Sequence, residues 1–131
     1  MQSFSVRTGA HTAFVDITAS VRGAVERSGV REGLATVFVP HTTAGVTINE
    51  NADPDVVADM TAALDRAVPW SADYRHGEGN AAAHVKASLM GSSVTVLVHG
   101  GGLVLGTWQA IYLCEFDGPR TREVHVGCTP A

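Results

Sequence analysis

The spacing of apolar residues along the chain alternates between strand and helix periods, and each switch marks an element. Residues 3–8 and 12–17 alternate as two strands around a Gly9–Ala10 turn. Thr18 is placed to cap a short helix whose Val21, Ala24 and Val25 share a face with Ile17, and Gly29 ends it. Leu34–Val39 is a β-branched run stopped by Pro40, and Thr43–Asn49 continues as another strand. Asp53–Pro54 starts a second helix, because Asp accepts a free backbone N–H and Pro lacks the one orphaned there. Val57, Met60, Leu64 and Ala67 give that helix one apolar stripe, ended before Pro69.

Residues 69–80 carry no periodicity. They hold Trp70, Tyr74, His76 and alternating glycines, the composition of an ordered functional loop. Asn80 and Gly91 bracket a third helix, Ala81–Met90, with Ala82, Val85 and Leu89 on one face and Asn80, His84 and Ser88 on another. Val94–Val98 and Leu103–Phe116 flank Gly100–Gly102 as a hairpin. The second of these strands is apolar on both faces and so central, with Gly106 marking a bulge or a close backbone approach. Gly118–Pro119 turns the chain into a last strand, Arg122–Val126. The order ββαββααβββ predicts a single β-rich α+β domain over 1–131, a mixed or antiparallel sheet or sandwich with helices packed on one side.

Composition narrows the function. A chain of 131 residues with 45% apolar content can bury a core without staples. A net charge of −4 with no Lys/Arg cluster argues against nucleic acid, and no segment is long and apolar enough to span a bilayer. No secretion signal is visible, and Cys114 and Cys128 lack a Cys-x-x-Cys spacing. Both thiols read as reduced, which with the missing signal predicts a cytoplasmic protein.

Two polar clusters break the pattern of a chain that only fills a core. One runs from His41, Thr42 and Thr43 to Asn49, Glu50 and Asn51; the other joins His76, Glu78 and Asn80 to His84. Of the six histidines, His11 and His125 read as solvated and His99, beside three glycines, as structural. His41, His76 and His84 lie among other donors and acceptors, which suits a metal or acid–base site, although their spacing matches no zinc signature. Glu78 can complete such a shell, act as a general base, or simply be a solvated loop carboxylate. Glu50 can equally serve the N-terminus of the following helix. Thr42, Thr43 and Thr107 offer hydroxyls, with plain β-propensity as the alternative. Gln109 in an apolar strand needs partners, and Arg120 and Arg122 read as surface residues.

The motifs His41–Ala44, Asn49–Pro54, His76–Asn80, Ala83–Gly91 and Leu105–Gln109 occur in this order in the YjbQ-like proteins, also called secondary thiamine-phosphate synthases, and the chain resembles that family throughout. The resemblance implies a compact α+β domain, a cytoplasmic homotrimer and a transferase-like activity. That activity joins a pyrimidine diphosphate to a thiazole phosphate with release of pyrophosphate, as a side activity of a small-molecule enzyme with a His-rich site. It implies His41, Glu78 and His84 as catalytic residues, and His41, His76 and His84 as ligands of a divalent metal. Three histidines suit zinc or another transition metal, whereas Mg²⁺ would accompany a diphosphate substrate. Thr42, Thr43, Asn49, Glu50, Asn51, Asn80, Lys86, Thr107 and Gln109 are the expected binders of substrate or phosphate. The expected partners are a small phosphorylated molecule and further copies of the chain, with no nucleic acid and no membrane. Two other readings compete: a metal-dependent hydrolase or phosphatase, and a non-enzymatic metal- or ligand-binding trimer.

Overall fold

Alternating apolar residues on the strands need a second layer to face. In the computed structural model, which describes residues 1–131, two antiparallel sheets supply it. The elements are β1 (Gln2–Arg7), β2 (Ala13–Asp16), α1 (Thr18–Ser28), β3 (Gly33–Phe38), β4 (Ala44–Glu50), α2 (Pro54–Ala67), α3 (Ala81–Met90), β5 (Ser93–His99), β6 (Gly102–Leu103), β7 (Gln109–Glu115) and β8 (Thr121–Pro130). The expected order holds, with the two-residue β6 added. One sheet runs β1-β8-β3-β5-β6 and the other β2-β7-β4.

The main core lies between the sheets. Val37, Val96, Val124 and Val126 from the five-stranded sheet meet Val46, Ile111 and Leu113 from the three-stranded one. Helix α1 joins this core through Val21, Ala24 and Val25, so it is not stacked with the other two helices. A second cluster covers the outer face of the smaller sheet, where Tyr112, Cys114 and Phe116 pack under Ala83 and Ala87 of α3, with Val57 and Leu64 of α2 at the margin. The molecule is therefore sheet, core, sheet, then helices on one outer side.

Several local expectations are corrected. The long strand 103–116 is broken: Val104–Trp108 leave the first sheet, and β7 enters the second as its central strand. Gln109 turns that crossing, its Oε1 accepting the Gly106 N–H at 2.7 Å while its own N–H reaches Gly106 O at 3.1 Å. Of the expected face of α3 only Ala82 is buried; Val85 and Leu89 are exposed, and Ala83, Lys86 and Ala87 are buried instead. Small side chains let the helix press on the sheet. At Gly45 an added Cβ would stand 2.7 Å from Gly91 O and 3.0 Å from Met90 Cβ. Thr18 does not cap α1; Asp16 Oδ1 accepts both its N–H and its hydroxyl, at 2.9 and 2.6 Å. Asp53 caps α2 as expected, accepting the Asp55 N–H at 2.9 Å.

Strand β4 is an edge of the smaller sheet. Its Val46 N–H is taken by Gly91 O at 3.0 Å and its Glu50 N–H by Asn49 Oδ1 at 2.7 Å.

Candidate functional site

The two ends of β4 lie about 20 Å apart at about 3.3 Å per residue, and they separate the predicted residues into two groups. At the start of β4 the His41–Thr43 turn meets α3 and the loop before it. A cleft of about 490 Å³ is lined by His41, Thr42, Ala44, His84, Ala87, Ser88, Gly91 and Ser92. A neighbouring hollow of about 250 Å³ is wholly polar: Thr42, Thr43, His76, Glu78, Asn80, His84, Asp117 and Arg120. Thr42 and His84 line both. His76 and His84 meet edge to face with ring centroids 5.2 Å apart, and Glu78 Oε2 lies 3.9 Å from His76 Nε2.

At the far end of β4, Glu50 stands opposite Gln109 and Asn49 opposite Ala110. Asn51 and Gln109 line a separate hollow with Asp16, Thr18 and Arg22. Thr107 lies in the turn that leads into Gln109. Within one chain Asn49, Glu50, Asn51, Thr107 and Gln109 are therefore not neighbours of the histidines. Lys86 is also elsewhere. Two positions from His84 on a helix turns it by about 200°, and it lines a different pocket.

Sequence reasoning misplaced Arg122, whereas Arg120 is at the surface as expected. Arg122 is buried at 2% exposure, where its guanidinium pairs with the fully buried Glu115 through Nε at 2.8 Å and through Nη2. The same Nη2 donates to Thr43 Oγ1 at 2.9 Å and to Thr43 O at 3.3 Å. Glu115, on β7, also accepts from Thr8 Oγ1 at 2.8 Å and from the Asp117 N–H at 3.0 Å. Burial acts to raise the Glu115 carboxyl pKa, but bonds from Arg122, Asp117 and Thr8 prevail and hold it below its ordinary 4.5. This pair ties one sheet to the other directly beneath the Thr42–Thr43 turn, and it commits the Thr43 hydroxyl to structure. The signal in the sequence was a carboxylate ending an apolar strand, seven residues before an arginine. Arg120 is half exposed and opens onto the polar hollow, its Nε and Nη2 held by Asp117 at 2.9 and 3.2 Å.

His41 is constrained further. Its Nε2 accepts the Glu123 N–H at 2.9 Å, so in the neutral ring the proton sits on Nδ1. Burial first, and the Arg122 charge second, push its pKa below the ordinary 6.5. No three His, Cys, Asp or Glu side chains converge as a metal-ligand set. Within one chain His76 and His84 meet, while His41 spends Nε2 on the backbone and keeps Nδ1 for a ligand. Asn80 presents its NH₂ to Asp117 Oδ2 at 2.9 Å, an oxygen that also accepts from Arg120 Nη2. Asn80 Oδ1 is left buried with no partner, and it makes no cap bond to α3.

The family model for UPF0047 protein YjbQ-like matches residues 2–131. The chain belongs to the UPF0047, YjbQ-like family. The UPF0047 protein YugU of Bacillus subtilis is 48% identical over 127 residues, covering 96% of each chain. A UPF0047 protein of Methanocaldococcus jannaschii is 46% identical over 94% of this chain and 89% of its own. Among solved structures, an uncharacterised conserved protein of the yjbq/upf0047 family from Clostridium acetobutylicum superposes with a TM-score of 0.97 at 54% identity. That match covers 98% of this chain and 100% of the other. A conserved hypothetical protein from Thermus thermophilus gives 0.92 at 42% identity, over 98% and 100%. In this UPF0047 chain no helix is long and apolar enough to cross a membrane. Both cysteines are free, and burial pushes the Cys114 thiol pKa up to about 12.

Proposed function

We propose that the chain is a small-molecule enzyme acting on phosphorylated substrates in the cleft between His41 and Arg120, with thiamine-phosphate formation as a side activity. The observation that carries this reading is the wholly polar hollow where His76, His84, Glu78 and Arg120 surround space for a small ligand. In the proposed reaction the C–O bond between the pyrimidine's methylene carbon and its diphosphate breaks. Pyrophosphate leaves with the electron pair, and the thiazole nitrogen's lone pair forms the new C–N bond. Arg120 and the Thr42 hydroxyl bind oxygens of the departing group, where negative charge develops. His84 supplies a proton to it, with His76 and Glu78 setting the local charge. The unpartnered Asn80 Oδ1 favours a ligand that brings an N–H or O–H donor.

The three histidines do not converge in one chain on a resident metal. Mg²⁺ would arrive on the diphosphate's own oxygens. The same reading includes self-association as a homotrimer, which sedimentation equilibrium tests. The activity is tested by mass spectrometry of product from the two purified precursors. Wild type is expected to form thiamine phosphate and His84→Ala to lose at least about tenfold in rate. Equal rates in both would reject the assignment. Phosphate release without coupling would favour the hydrolase reading instead.

A further inference from the structure

Lys86 is the only lysine in the chain, and its side chain is 3% exposed. A buried ammonium needs acceptors for three N–H donors. One donor is taken by Asp65 of α2, whose side chain is 58% exposed, and Lys86 Nζ also stands 6.0 Å from the centre of the Phe116 ring. Lys86 has no other hydrogen-bond partner. Lys86 lines a hollow of about 490 Å³ together with His11, Thr12, Asp65, Pro69 and Trp70. His11 and Trp70 meet edge to face at 4.4 Å and form an aromatic side to it. This hollow shares no residue with the histidine cleft.

We infer that this hollow is a second ligand site, which takes a small aromatic oxyanion: the oxyanion on Lys86 Nζ and the ring against Trp70 and His11. A solvated lysine would gain little from such a ligand. A buried one with donors left over gains a charge-assisted bond. Asp65 is the built-in competitor. Its carboxylate neutralises Lys86 when the site is empty, and being exposed it can swing into solvent when an anion arrives. Trp70 supplies a broad apolar face that a free inorganic ion cannot use.

The test uses the full chain carrying Trp108→Phe, which leaves Trp70 as the sole tryptophan reporter. Phenyl phosphate, benzoate and inorganic phosphate are titrated separately while indole fluorescence is read. Phenyl phosphate is expected to bind saturably, and at least about tenfold more tightly than inorganic phosphate. Benzoate in place of phenyl phosphate as the tighter ligand would support the same site and assign it to carboxylates. Lys86→Met, which keeps the buried stem, is expected to lose the response, and Asp65→Asn to tighten binding several-fold. The second variant guards against a folding defect in the first, because a merely structural lysine would not bind tighter when its partner is neutralised. Equal binding by Lys86→Met and its parent, no effect of Asp65→Asn, or no saturable response to any of the three anions would each overturn the inference.

Discussion

Removing the Glu115 carboxylate isolates a buried charge. In Glu115→Ala the Arg122 guanidinium stays in a site that is 2% exposed and keeps only the Thr43 oxygens as acceptors. The Thr8 hydroxyl and the Asp117 N–H also lose an acceptor. Breaking one side of a buried ion pair costs about 3–5 kcal/mol, a large part of the roughly 5–15 kcal/mol that holds a domain folded. At about 2.1 cal/mol/K per residue, 131 residues unfold with about 0.28 kcal/mol/K, so the thermal midpoint should fall by about 11–18 °C. The assay is circular dichroism melting at one fixed protein concentration, since any self-association makes the midpoint concentration-dependent. The control is Glu115→Leu combined with Arg122→Met, which removes both charges and fills the space. It should recover most of the loss. A midpoint for Glu115→Ala within about 3 °C of wild type would refute the reasoning. So would a double variant as damaged as the single one, because the cost would then be lost packing rather than a stranded charge.

Acid should weaken the fold in two stages. The pKa values of His41 and Glu115 are lowered by folding, so the unfolded chain takes up protons first and stability declines as pH falls. Urea midpoints should begin to drop below pH 6.5 through His41 and again below 4.5 through Glu115, and His41→Gln should erase only the first step. A flat profile down to 4.5 would contradict the His41 assignment. Gly45→Ala should cost about 1–3 kcal/mol in urea unfolding, because its Cβ meets the backbone carbonyl of Gly91 rather than a yielding side chain; a loss under about 0.5 kcal/mol would show that α3 rides loosely. Arg120→Ala should slow thiamine-phosphate formation by about tenfold or more while moving the melting midpoint by no more than about 2 °C, since the Arg120 side chain is half exposed and Asp117 keeps the Asn80 amide as a donor. A large shift in melting would make Arg120 a structural residue.

Most of the element order was legible because period and punctuation agree. Asp53–Pro54 starts a helix and Gly29, at φ 74°, ends one, as their chemistry requires. What the sequence hid was non-local. Gly106 and Gln109 mark an irregularity within 103–116, but they do not say that the chain changes sheets at Val104–Trp108. The face of α3 was misjudged because Leu89 and Val85 are larger than Ala83 and Ala87, yet proximity to the sheet selects the small side chains. The histidine cleft was half visible: His41, His76 and His84 stood out by composition, but only the fold could show that His41 Nε2 is already engaged. Asn49–Asn51 lie at the far end of the strand that the His41 turn leads into, and the length of β4 carries them away from it. Arg122 was read as a surface residue because a carboxylate at the end of an apolar strand, the one local signal, does not say that two sheets meet there.

The edge of β4 bears on how the chain behaves in a crowded solution. An unpaired strand edge invites another strand to add to it, and stacks of such additions become insoluble. Two N–H groups of β4 are already spoken for, one by the carbonyl of Gly91 and one by the side chain of Asn49. Asn49 is thus a guard as well as a polar neighbour of Glu50. Replacing it with a residue that has no acceptor would leave folding largely intact while making the purified protein more prone to precipitate on storage.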